Sequence, residues 1–115
     1  MDKIELKIPA KENYLKSLRL LSASIASDMG FDIEAVEDIR VVVSEAVNYK
    51  LGQGYVDIKF YVEDDSLTVL VLGKDKKIDD TALQMRNLIL EALADEASVS
   101  EDEIRLVKRV KNDKR

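Results

Sequence analysis

Along this chain the spacing of apolar residues switches between a two-residue and a 3.6-residue repeat, and the order of the switches, β-α-α-β-β-α-β-β, leaves few ways to close a core. Residues 3–8 alternate, with Ile4, Leu6 and Ile8 on one face and Lys3, Glu5 and Lys7 on the other, the pattern of a half-buried strand that Pro9 closes. From about Lys11 to Met29 the apolar positions Tyr14, Leu15, Leu18, Leu21, Ile25 and Met29 recur every three or four residues, and Gly30 follows where a left-handed helix cap belongs. Asp32 is placed to cap a second helix, with Glu34 against its amino-terminal dipole and Val36, Ile39, Val43 and Ala46/Val47 as its inward stripe. Val41-Val42-Val43 opposes that helix by propensity. The preference amounts to only a few tenths of a kcal/mol per residue (~0.5), and the unbroken helical period outweighs it.

Gly52 and Gly54 end the helix and open a hairpin in which Val56, Ile58, Phe60 and Val62 alternate with Tyr55, Asp57, Lys59 and Tyr61. Asp64-Asp65 is the turn and Leu67 to Leu72 the return strand. A charged loop, residues 73–80, leads to a helix from about Thr81 to Ala94 carrying Leu83, Leu88, Ile89, Ala92 and Leu93 inward. Residues 97–100 and 103–110 read as a final hairpin. The fold class expected from this order is α/β (α+β), a two-layer sandwich: one mixed, mostly antiparallel sheet of about five strands, covered on one face by three helices.

Composition narrows the chemistry. At 115 residues and 46% hydrophobic the chain suits a single domain, residues 1–115, which at this size buries roughly 65% of its unfolded surface. Cysteine and histidine are both absent, which removes disulfides, thiolate nucleophiles, the commonest general base and the commonest zinc ligand, so no metal site is expected. No apolar run approaches the roughly 20 residues that span a bilayer, and Met1 to Lys7 alternates charge with apolar groups instead of forming a signal peptide. A cytoplasmic protein without membrane contact is expected. The net charge of −5 argues against nucleic acid as a partner, because phosphate binding needs concentrated positive charge. Lys108, Arg109, Lys111, Lys114 and Arg115 form the one basic cluster, read as a solvated, partly disordered end.

The run Val36-Glu-Asp-Ile-Arg-Val-Val-Val-Ser-Glu-Ala46, with the opening Ile4-Glu-Leu-Lys-Ile-Pro9, the helix end Ser24-Ile-Ala-Ser-Asp-Met-Gly30, then Leu93-Ala-Asp-Glu96 and Ile104-Arg-Leu-Val-Lys108, resembles the anti-sigma factor serine/threonine kinases of bacterial partner-switching systems. These belong to the histidine kinase-like ATPase superfamily, and the likeness covers almost the whole chain. Order and spacing together carry it, since none of these segments is specific alone. The resemblance implies a glutamate that activates the attacking hydroxyl, at Glu45, and four residues later a magnesium-binding asparagine. That position holds Tyr49, and Asn48 comes one residue early, about 100° round a helix. The family's Asp-x-Gly-x-Gly loop, whose aspartate binds the adenine amino group, aligns with Gly73, Asp75 and Lys77. Asp75 replaces the lost adenine acceptor only if the strand end is rebuilt. The family's Gly-x-Gly, which wraps phosphates at a helix amino terminus, aligns with Gln84-Met85-Arg86. Only about four residues, Asp80 to Gln84, stand where a long lid closes over ATP, so the domain is expected to lack most of that lid.

The expectation is a degenerate member: an anti-sigma-factor-like regulatory protein that works by protein–protein binding, with ATP binding and kinase activity lost and no cofactor. As implied by the resemblance, its partners are a sigma factor or an anti-anti-sigma protein, with homodimerisation possible. An active ATP- and magnesium-dependent kinase with Glu45 as base and Asn48 and Asp75 binding the cofactor is the first alternative; a non-catalytic scaffold subunit is the second. Tyr14, Tyr49, Tyr55 and Tyr61 are amphipathic enough to anchor an interface, although Tyr55 and Tyr61 equally suit covering the outer face of a sheet.

Overall fold

A computed structural model describes residues 1–52 and 54–111. The first strand, β1 (Asp2–Pro9), is followed by a single 3-10 turn at Glu12–Tyr14 and by α1 (Leu15–Met29). The α-helix thus starts four residues later than its apolar spacing suggests, and Tyr14 stands 40% exposed outside the inward stripe of Leu15, Leu18, Ile25 and Ala26. Gly30 ends α1 at φ +93°, a left-handed conformation that a Cβ would strain. There its N–H donates to the Ser27 carbonyl and that of Phe31 to Ala26, the paired bonds of a Schellman cap. One residue on, Asp32 Oδ1 accepts from Ala35 N at 2.8 Å and opens α2 (Ile33–Asn48). The valine run is helical there, with Val42 and Val43 buried and Val41 turned out.

The remaining elements are β2 (Tyr55–Val62), β3 (Ser66–Leu72), α3 (Asp80–Leu93), β4 (Glu96–Val99) and β5 (Glu103–Arg109). They form one five-stranded sheet in the order β1-β2-β3-β5-β4, and all of its pairings are antiparallel. Two helices between β1 and β2 return the chain to the end of the sheet where β1 finished, with Tyr55 opposite Pro9, so β2 runs back along β1. The rest of the expected mixed, mostly antiparallel architecture is what the chain adopts: an α+β open sheet with three helices on one face. Ile8, Val56, Ile58, Phe60, Leu67, Val69, Val71, Ile104 and Leu106 from the strands meet Leu18, Ile25, Ile39, Val43, Val47 and Leu90 from the helices. α2 lies in the middle of the helical layer, packed against both α1 and α3.

The uncovered face is polar along β1 and β2, whereas β3 and β5 place Leu70, Leu72 and Val107 on it. Lys59 pairs with Glu5 at 3.7 Å, and Lys3 and Lys7 lie over the rings of Tyr61 and Tyr55 at 5.7 and 5.8 Å. Cross-strand register places Lys3 opposite Tyr61, while Lys7, opposite Asp57, reaches Tyr55 on the diagonal.

Two expectations fail here. In α3, Leu88 is 60% exposed and Ala92 is exposed, whereas Arg86 is buried in phase with Leu90. Counting only apolar residues put the wrong edge of α3 inward, because the face that packs carries a neutralised arginine. The basic cluster is also no solvated tail over its first part. Lys108 and Arg109 belong to β5; Lys108 Nζ donates to the Leu93 carbonyl at 2.7 Å and lies 3.5 Å from Asp38, and Arg109 pairs with Glu96. Lys114 and Arg115 lie outside the described residues. No helix among the described residues is long and apolar enough to cross a membrane.

Candidate functional site

The three site residues read from the sequence fall in different places: Glu45 within α2, Asn48 at its end and Asp75 in the loop after β3. Glu45 is half-buried in a shallow depression of about 250 Å³ with Arg19, Arg40, Val41, Ser44 and Ile89. Arg19 donates to the Ser44 hydroxyl at 2.7 Å and Arg40 to Glu37 at 2.9 Å, and the Glu45 carboxylate has no hydrogen-bond partner among the described residues. Asn48 is the last residue of α2, half-buried, and α2 is unbroken α-helix up to it. Because the helix is regular, Asn48 stays about 100° from the residue four positions after Glu45. That residue is Tyr49, and the guanidinium of Arg86 lies 5.9 Å from the centre of its ring.

Asp75 is the centre of a cluster at the carboxyl-terminal end of α2. Its Oδ1 receives Arg86 Nη1 at 2.6 Å and Lys50 Nζ at 2.9 Å, and its Oδ2 receives Arg86 Nη2 at 3.4 Å. Lys50 spends its other protons on the carbonyls of Ser100 at 2.9 Å and Glu101 at 2.6 Å, while Arg86 Nε donates to Asn87 Oδ1 at 2.9 Å. The Lys50 and Arg86 side chains are 0% and 2% exposed, that of Asp75 13%. Burial acts to raise the Asp75 pKa, but hydrogen bonds and charge from Arg86 and Lys50 outweigh it and hold the carboxyl below its ordinary 3.8.

Backbone bonds stitch the Asp75 loop in place. Gly73 N donates to Asp102 O at 3.0 Å, Asp75 N to Glu101 O at 3.0 Å and Lys76 N to Tyr49 O at 2.8 Å. The loop thereby joins the end of α2 to the β4–β5 turn. At the surface beside it Lys74 pairs with Asp102 at 3.0 Å, whose hydrogen bond and charge raise the lysine's pKa.

α3 begins at Asp80, with Asp79 as its cap: Asp79 Oδ1 accepts from Ala82 N at 2.9 Å. Gln84, Met85 and Arg86 consequently lie in the second turn, past the four amides that a helix leaves unbonded, and the amino terminus presents Asp79 and Asp80 instead. Residues 80–84, the short remnant expected where a lid belongs, are the opening of α3 itself. An open cleft of about 460 Å³ borders the cluster, lined by Lys74, Asp75, Lys76, Lys77, Leu83, Arg86, Asn87 and the β4–β5 turn. No three acidic side chains converge on a cation position among the described residues.

Lys50 is the residue that the sequence reading passed over, and Arg86 stood there in the missing phosphate loop without a partner assigned to it. A signal for both exists. Ile39, Val43, Val47 and Lys50 continue one spacing of three or four, as do Leu83, Arg86, Leu90 and Leu93, so two cations occupy core-phase positions.

No protein-family model matches the chain. It is similar to serine-protein kinases named RsbW: 32% identical over 85 residues to that of Oceanobacillus iheyensis, covering 68% of this chain and 54% of the relative. To that of Bacillus cereus it is 33% identical over 91 residues, covering 74% and 57%; to that of Bacillus pumilus, 35% over 88 residues, covering 69% and 54%. The chain thus spans about half the length of these relatives. Among solved structures it is similar to the RsbU and RsbW domains of Rv1364c from Mycobacterium tuberculosis, with a TM-score of 0.72 over 96% of this chain and 32% of that one. At 16% identity that match speaks for the fold.

Proposed function

Because this chain belongs to the family of the RsbW serine-protein kinases, we propose that it is an anti-sigma-factor-like regulator that acts by binding a protein partner, and that nucleotide binding and phosphoryl transfer have been lost. The observation that carries the second half is the Asp75 carboxylate, held by Arg86 and Lys50 in a loop already bonded to α2 and to the β4–β5 turn. An adenine acceptor needs an unspent carboxylate, and Asp75 has none to offer. The residues present do not fit ATP with magnesium. The amides that align with the phosphate loop are inside a helix, its amino terminus carries two aspartates, and Tyr49 with Arg86 stands where the ion-binding asparagine is expected.

On this reading Glu45 is a solvated helix carboxylate, Asn48 a polar residue at a helix end and Asp75 a structural counter-ion. The partner is a sigma factor or an anti-anti-sigma protein, met in the cytoplasm. The net charge of −5 keeps nucleic acid out of the list. The names of the relatives favour a second reading, an active kinase with Glu45 as base. It requires Asn48 to turn toward the Glu45 face, and the unbroken α2 gives no irregularity through which it would.

Calorimetric titration with ATP and magnesium, repeated with ADP, separates the two. No heat and no thermal shift are expected; micromolar binding would sink the proposal and return Glu45 to the role of base. Capture of a purified sigma factor or anti-anti-sigma protein at equal strength with and without ATP tests the regulatory half, and failure to capture either leaves the scaffold reading.

A further inference from the structure

We infer that Lys50 and Arg86 form a latent oxyanion site whose resident ligand is the chain's own Asp75 carboxylate. Two cations this deeply buried, with side chains 0% and 2% exposed, require a counter-anion, and among the described residues Asp75 is the one carboxylate within ion-pairing distance of either. The arrangement is one with which proteins hold carboxylates and phosphates. The Arg86 fork reaches both oxygens, at 2.6 and 3.4 Å, and the Lys50 point charge lies 2.9 Å from one of them.

The cations and the anion differ in how they are mounted. Lys50 follows the end of α2 and is fixed by two carbonyls of the β4–β5 turn; Arg86 lies within α3, bonded to Asn87 and over the Tyr49 ring at 5.9 Å from its centre. Asp75 comes from residues 73–79, which have neither helix nor strand, and it forms part of the wall of the open 460 Å³ cleft. Removing its side chain beyond Cβ therefore leaves two preset cations around a space the size of a carboxylate, reachable from solvent. The ligand class is an oxyanion: a carboxylate fills the vacated space, and a phosphate group enters from the cleft. Such a site deepens and rests on the reading above that the nucleotide loops are lost, and it names what stands in the place of an anionic ligand.

Chemical rescue of Asp75→Ala tests it. In sodium chloride the variant is expected to melt about 10–20 °C below wild type. Sodium formate at the same ionic strength is expected to return about 5 °C or more by ~100 mM, saturably, while wild type responds equally to the two salts. Inorganic phosphate is the second probe; a gain from phosphate as well as formate means that the cleft admits the larger anion. The double variant Asp75→Ala/Arg86→Met is expected to show no gain specific to either oxyanion. Equal melting of Asp75→Ala in formate, phosphate and chloride, or a gain that survives in the double variant, overturns the inference. If Asp75→Ala does not fold in chloride, folding in formate alone supports it. If neither salt restores it, Asp75→Ser, which is shorter than aspartate and still leaves room beside the cations, is measured for the same gain over chloride, and its absence overturns the inference. Titration of wild type with magnesium and ATP fails or succeeds independently of this rescue, so loss of one reading is not mistaken for loss of the other.

Discussion

At its amino-terminal end α2 starts from Asp32, whose carboxylate accepts from Ala35 three residues on, directly after the Gly30 cap that closes α1. Its carboxyl-terminal end is followed by Lys50, which is bonded to Asp75, Ser100 and Glu101, the last of them 51 positions away. The first end uses neighbours and stays at the surface; the second brings α2, α3, a loop and a hairpin turn together around a buried charge. Local caps contribute about 1 kcal/mol each and fail independently. A buried ion cluster behaves differently: its whole is worth little against a hydrophobic replacement, yet any one missing member strands the others.

Breaking the ionic end should produce the largest effect. Asp75→Ala is expected to cost about 3–5 kcal/mol in urea unfolding, because two cations lose their counter-ion. The pH dependence gives a sign to check. The folded Asp75 pKa lies below its ordinary 3.8, so its contribution is complete above the unfolded value, at about pH 5, and is lost as pH falls through the folded value. The gap between wild type and Asp75→Ala should therefore narrow below about pH 4; a constant gap would mean that the cost is packing alone. Next in size, Leu18→Ala, in the apolar layer that both ends share, should cost about 2–5 kcal/mol with no narrowing at acid pH. At the local end, Asp32→Ala should cost about 1 kcal/mol and leave the melting of the Asp75 loop unchanged by hydrogen exchange. A loss as large as that of Asp75→Ala would erase the contrast between the two ends. Smallest of all, Glu45→Gln should stay within about 0.5 kcal/mol of wild type, since this half-buried carboxylate has no partner among the described residues.

The same contrast explains what was legible beforehand. Gly30, Asp32 and the alternation of Tyr55 to Leu72 each state their structure within a few residues, and element order and sheet composition follow from them. Tyr14 misled because a 3-10 turn and an α-helix share their first apolar spacing. Leu88 and Ala92 misled because hydrophobicity alone was counted, and Arg86 holds the inward phase of α3. For the candidate site, the sequence placed Asn48 three residues after Glu45, and the resemblance expected an asparagine one residue later and glycines where Asp75, Lys77, Gln84 and Arg86 stand. It did not show that Asp75 already has two partners, one 25 residues before it and one 11 residues after it.

Residue spacing by itself determined the order of the eight strands and helices, the caps at Gly30 and Asp32 and the layer they build, since periodicity and capping act through bonds between near neighbours. Composition by itself removed thiol, imidazole and membrane-helix chemistry. Only the tertiary structure decided the strand order and the fate of Asp75. These depend on which distant groups exclude water from one another, and a charge is affordable inside a protein only where the fold has already delivered its partners.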